Sequence, residues 1–189
     1  PQATTRVMAI FDNEETGSGT KQGAASPVLK TILQRINAAL GGNDETFFRG
    51  VASSFMISAD NGHATHPNYE SKQDPTNHPV LGGGPVIKIN ANCKYMTDAE
   101  SSAVFQEICH EAGVPVQFFV NHSDVAGGST LGNILTSQLD LRGVDMGAPQ
   151  LAMHSCVETA GAEDLGALVR AMTVYYGETL CRAGETLRF

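Results

Sequence analysis

The strongest constraint on the fold of this chain is the alternation, along its whole length, of short apolar runs with longer segments of helical spacing. That pattern builds an α/β layer fold, because each crossover between strands carries a helix whose apolar face covers the sheet. Val7 to Phe11 is expected as the first strand. Ser26 followed by Pro27 opens a helix in which Val28, Leu29, Ile32, Leu33, Ile36 and Leu40 recur at helical spacing until Gly41 and Gly42 stop it. A second helix is expected over Asp44 to Ser53, with strands at Phe55 to Ser58 and Val86 to Ile89. Asp98 can cap a helix ending at Gly113, and Val116 to Val120 reads as a strand. Leu131 to Leu139 reads as helical and Val144 to Met146 as extended, and the last helix, about Ala162 to Leu180, sets Leu165, Leu168, Val169, Met172 and Tyr176 on one face. The expected architecture is a central, mostly parallel or mixed sheet flanked by helices.

The 189 residues suffice for one sizeable core. A net charge of -8 and a pI near 5.1 exclude nucleic acid as a partner, since nothing here neutralises a run of phosphates. No apolar run reaches the roughly 20 residues of a membrane span, and a signal peptide is not recognisable at the N-terminus. Cys93, Cys109, Cys156 and Cys181 lack C-x-x-C spacing and read as reduced core thiols, which points to a cytoplasmic protein. The chain begins "PQATTRVMAIF" and enters an apolar run within a few residues, as a cut chain or a processed terminus would.

Chemistry concentrates after the expected strands. Glu14 and Glu15 follow the first; Asp60 follows "FMISA"; His122 and Asp124 follow "VQFFV"; His154 follows "PQLAM". In open α/β sheets sites form outside the carboxyl ends of strands, so these loops can converge. By itself the Glu14-Glu15 pair is either a solvated turn or half of a metal site. A set of carboxylates and imidazoles from separate strand ends suits zinc, manganese or cobalt. The long loop Asn61 to Pro85 contains four prolines and three of the six histidines, and loops beyond about 15 residues are usually functional or disordered.

Five blocks in order, "FDNEETGSGTKQGA", "SADNGHATHPNY", "GPVIKIN", "SDVAGGSTLGNI" and "GAPQLAMHSCVE", resemble the M18 family of aspartyl-type aminopeptidases. The resemblance implies a zinc-exopeptidase (phosphorylase/hydrolase-like) fold, incomplete here, a centre of two divalent metal ions, zinc first, with manganese or cobalt as alternatives, and removal of an N-terminal residue, acidic in many members, from a peptide substrate. Position by position it implies that Glu14 is the general base, Glu15 and His154 ligands of one metal, and Asp60 a ligand of the other. It also implies a substrate pocket shaped by His63, His66 and Lys88. Lys88 could pair with an acidic first side chain, or be an ordinary strand lysine with its head in water. Gly127 and Gly128 could let backbone N–H groups approach a substrate, or serve a tight turn.

The family pattern also contains a His-x-Asp pair, a bridging aspartate and an inserted oligomerisation domain, all upstream of the Glu-Glu pair, and residues before Glu14 do not supply them. Residues 1–189 are therefore expected to be the C-terminal portion of a metallopeptidase catalytic domain whose parent is a homo-oligomer, inactive without the rest. Two other classes remain: a non-catalytic α/β binding or structural module of the same fold, and another two-metal hydrolase such as a deacylase. Keeping Glu14, Glu15, Asp60 and His154 together weighs against the first.

Overall fold

Residues 4–183 and 186–188 are described by the structure, a computed structural model. Four strands form the main sheet: β1 (Phe55–Ala59), β3 (Val86–Ile89), β4 (Gln117–Val120) and β5 (Arg142–Gly147), in the order β1-β5-β3-β4. β1 pairs parallel with β5 and β3 parallel with β4, while β3 and β5 run antiparallel, so the sheet is mixed. A second sheet joins β2 (Gly62–His63), β6 (Pro149–Leu151) and β7 (Thr159–Ala160). Strands β8 (Cys181–Ala183) and β9 (Thr186–Arg188) pair antiparallel.

Side-chain alternation along β5 sorts the helices onto the two faces. Val144 and Met146 are fully buried in the core with Ile87 of β3, Val104, Phe105, Ile108 and Cys109 of α3 (Ala99–Glu111), and Ala167 and Ala171 of α5 (Ala162–Gly177). Asp145, between them, points the other way, toward Gly132 of α4 (Leu131–Thr136). The sheet is thus covered on both faces. A smaller cluster of Phe47, Val51 and Leu139 joins α2 (Asp44–Ala52) to Leu29 and Leu33 of α1 (Val28–Ala39). Capping boxes begin α2 (Asn43 with Thr46) and α3 (Asp98 with Ser101), each satisfying two N–H groups that would otherwise lack partners.

Several expectations are corrected. Val7 to Phe11 joins no strand ladder among the described residues, and Val7, Met8 and Ile10 are exposed. An apolar run becomes a strand only where a neighbour supplies hydrogen-bond partners, and none of the described strands lies alongside. Pro27 rather than Ser26 occupies the cap position of α1, with Ser26 Oγ accepting from Val28 N. On α5, Leu165 and Val169 face solvent, and the buried face is Asp164, Ala167 and Ala171, with Leu168 and Met172 partly buried beside it. Small side chains there let the helix sit close to α3. Cys93 and Cys156 are exposed in turns, which leaves Cys109 as the core thiol, and the side chain of Cys181 lies outside the described residues. No helix among the described residues is long and apolar enough to cross a membrane.

Candidate metal centre

The Glu14-Glu15 pair is presented by a compact turn. Asn13 adopts left-handed backbone (φ 62°), and its side-chain oxygen accepts hydrogen bonds from Thr20 Oγ1 at 2.8 Å and Gln22 Nε2 at 3.0 Å. The 3-10 turn Glu14–Thr16 follows and closes on Gly17 (φ 99°). Asparagine tolerates this region better than most side chains because it bonds locally, which is why the chain can reverse where it leaves the apolar run.

His154 arrives from the turn between β6 and β7. Both Ala152 (φ 57°) and His154 (φ 67°) are left-handed there, and the His154 N–H donates to Glu158 Oε1 at 2.6 Å. Non-glycine residues in this region cost free energy of about 1–3 kcal/mol each and persist where their surroundings hold them. The held geometry brings His154 Nε2 to 3.0 Å from Glu15 Oε2, with both side chains largely exposed.

Asp60 leaves the end of β1, where its backbone N–H donates to Met146 O at 2.8 Å. Its carbonyl passes so near Gly147 that a side chain at 147 would meet it at 2.0 Å, so only glycine fits at the end of β5. Its carboxylate accepts a 2.8 Å bond from Lys88 Nζ. Lys88 is 3% exposed, so it is neither an edge lysine nor one with its head in water, and its ammonium lies 5.6 Å from the centre of the Tyr95 ring. Tyr95 is placed in turn by Met96, whose N–H donates to the fully buried Asp145 Oδ2 at 2.7 Å.

Electrostatics show the same convergence. Burial holds the Glu14 carboxyl above its ordinary range, helped by the nearby charges of Asp60 and Glu15 and opposed by Lys88. Burial also pushes His63 down, and Lys88 and His154 push in the same direction while Asp60 opposes them. The structure therefore gathers Glu14, Glu15, Asp60, His63, Lys88 and His154 from four separate segments. The His63 ring rests 6.0 Å from that of Phe119.

The other sequence candidates lie differently. His66 Nδ1 accepts from Asn68 N within its own turn, and its ring sits 5.1 Å from Tyr69. His122 makes a similar local bond with the Asp124 N–H. Gly127 lies against the Asn121 amide, where a side chain would come within 3.0 Å, while Gly128 faces open space. Tyr95, Asp145 and Asn121 escaped the sequence reading. Asn121 could have been found by the strand-end rule that singled out His122, but Tyr95 and Asp145 have no signature in a single sequence. A shallow concavity beside α3, lined by residues such as Ala103, Glu107 and His110, holds none of the gathered groups.

An imidazole nitrogen and a carboxylate oxygen 3.0 Å apart, with a second carboxylate on Asp60, are donors of the kind zinc takes. They fit in kind and fall short in number, because no three His, Cys, Asp or Glu side chains form a metal-holding group among the described residues.

Comparison with known proteins shows the family of the chain. Residues 1–176 match the profile of the Aminopeptidase I zinc metalloprotease (M18) family. The chain is 53% identical over 160 residues to the probable M18 family aminopeptidase 2 of Clostridium novyi, covering 85% of this chain and 37% of that protein. It therefore spans little more than a third of that relative's length. Its fold superposes on a chain of the Ape4 and Nbr1 complex with a TM-score of 0.83 at 40% identity, covering 88% of this chain and 31% of that one. It superposes on the S. cerevisiae mApe1 dodecamer with a TM-score of 0.74 at 29% identity, covering 88% and 36%. A two-faced mixed α/β sheet, a Glu-Glu turn beside a left-handed histidine, and a family match over nearly the whole chain have one common explanation: the chain belongs to the M18 family of zinc metallopeptidases.

Proposed function

We propose that this chain is the C-terminal portion of the catalytic domain of a longer M18 aminopeptidase, which removes N-terminal residues, acidic ones preferred, from peptides with the help of two divalent ions, zinc first. The observation that carries this reading is the meeting of Glu14, Glu15, Asp60, His63, Lys88 and His154 at one end of the sheet. Glu15 and His154 would hold one ion and Asp60 the other, with the remaining ligands supplied from outside this chain. Bound there, the ions would polarise the scissile carbonyl and lower the pKa of a water toward about 7.

Glu14 is the group left to move protons. Its raised carboxyl suits a base that takes a proton from the attacking water at an Oε oxygen and returns it to the leaving amine nitrogen. His63, held toward its neutral form, keeps an N–H to donate to the oxygen on which negative charge develops. Lys88 offers a buried positive charge to an acidic first side chain, and Gly127 and Gly128 leave room for the peptide backbone beside Asn121. The parent is a cytoplasmic homo-oligomer in this reading, in line with the mApe1 dodecamer among its structural relatives.

The test uses the full-length protein. Glu14→Gln should lower turnover of an aspartyl anilide by at least about 10²-fold while zinc content stays near that of the wild type, because Glu14 moves protons without holding metal. Glu15→Gln should instead lose zinc. A Glu14→Gln rate within about threefold of wild type would remove Glu14 as the base.

A further inference from the structure

Asp60 serves two masters in this structure. It is the one carboxylate offered to the second metal position in the reading above, on which the following rests, and it is also the counter-ion of Lys88 at 2.8 Å. Lys88 has little recourse to water. Lys88 is 3% exposed: its ammonium meets Asp60 and faces the Tyr95 ring, and its Cε packs toward Gly62, where an added side chain would sit 3.7 Å away. A buried ammonium that loses its anion must find another, because solvent cannot replace it.

A divalent cation at Asp60 draws on the same carboxylate charge. With the cation present, Lys88 is left partly unpaired and attracts an incoming anion. Without it, Lys88 is already satisfied, and that anion would approach Asp60, Glu14 and Glu15, whose like charges repel it. We propose that Asp60 couples the two events, so that a divalent cation at Asp60 and an anionic side chain at Lys88 strengthen each other's binding. Linkage makes the effect reciprocal, since whatever factor the anion adds to metal affinity the metal adds to anion affinity.

The experiment measures the zinc dissociation constant of the full-length protein at buffered free zinc, in the presence of saturating aspartate or saturating alanine. Both amino acids can chelate through the α-amino and α-carboxyl groups, so the difference between them reports the side-chain carboxylate. Aspartate should tighten zinc binding at least about fivefold more than alanine does. That difference should vanish in Lys88→Met, which without any amino acid should bind zinc more tightly than wild type, because a merely structural lysine would leave it weaker. Equal effects of aspartate and alanine on the wild type overturn the coupling, as does an aspartate advantage that survives in Lys88→Met. The wild-type comparison decides alone if that variant does not fold. A full-length protein that binds no zinc under any of these conditions would instead remove the metallopeptidase reading, and the coupling with it.

Discussion

Replacing Asp164 by alanine should be among the most damaging single changes outside the gathered site. Asp164 lies in the first turn of α5, is 1% exposed, and accepts hydrogen bonds from Gly82 N at 2.8 Å and Gly84 N at 2.9 Å. Those two N–H groups end the long loop just before β3, the strand that carries Lys88. Hydrogen bonds to a charged group contribute about 1.5–3 kcal/mol each, and deleting the acceptor also strands two donors away from water, so the expected loss is about 3–5 kcal/mol. For a chain of this size that corresponds to a melting point lower by roughly 6–20 °C. Asp164→Asn keeps the volume but turns an amide N–H toward one of the two backbone donors, and should cost about half as much. Urea titration with far-UV detection gives the global number, and hydrogen exchange at the Gly82 and Gly84 amides gives the local one. A loss below about 1 kcal/mol, or unchanged exchange at both amides, would refute the clasp as an energetic element.

Three further outcomes follow from features described above. Cys93 and Cys156, exposed in turns, should be alkylated rapidly at neutral pH, whereas Cys109, buried and with its thiol pushed up to about 12, should react only on unfolding; early modification of Cys109 in peptide mapping would contradict its place in the core. Burial also raises Tyr95 and Tyr175 to about 12, so the folded state keeps protons that the unfolded state sheds above the ordinary values of 9.0 for the thiol and 10.0 for the phenols, and stability should fall as pH rises from there toward 12; a urea midpoint flat between about pH 8 and about pH 11 would count against it. On the proposed assignment of Glu15 and His154 to one ion and Asp60 to the other, the 189-residue chain on its own should bind zinc orders of magnitude more weakly than a site with the usual three or so ligands, and two ions bound at submicromolar affinity in calorimetry would overturn that assignment.

Much of the fold was legible because local rules were enough. The strands at Phe55–Ala59 and Val86–Ile89 and the helix capped by Asp98 depend on short-range patterns, and they appear within two residues of their expected bounds. Val7 to Phe11 was misread because an apolar run states what a segment could pair with, and says nothing of whether a partner is there. The buried face of α5 was misread for another reason: side-chain size favoured Leu165 and Val169, while close packing favoured Ala167 and Ala171. β6 and β7, at three and two residues, are too short to have a period. At the site, polar residues after apolar runs marked Glu14, Glu15, Asp60 and His154. The burial of Lys88 and its pairing with Asp60, 28 residues away, arise from tertiary packing and leave no trace in local spacing.

The joint between the two sheets bears on how this family can drift in length. β1 and β5 run side by side, and both continue directly into the second sheet, β1 through Asp60 and Asn61 into β2, and β5 through Ala148 into β6, again side by side and parallel. Asn61 pins the joint from its side chain, donating to Gln150 Oε1 at 2.7 Å and accepting from Ala148 N at 3.2 Å. One residue inserted or deleted in either strand on its way through would turn the following side chains to the opposite face, taking Asp60, His63 or the His154 turn with it. Both stretches, 55–63 and 142–154, should therefore be nearly invariant in length among relatives that keep the site. Gains and losses should collect between residues 66 and 79, on either side of Gln73, which bridges to Asn121 just past β4, in a loop whose exit is clasped by Asp164.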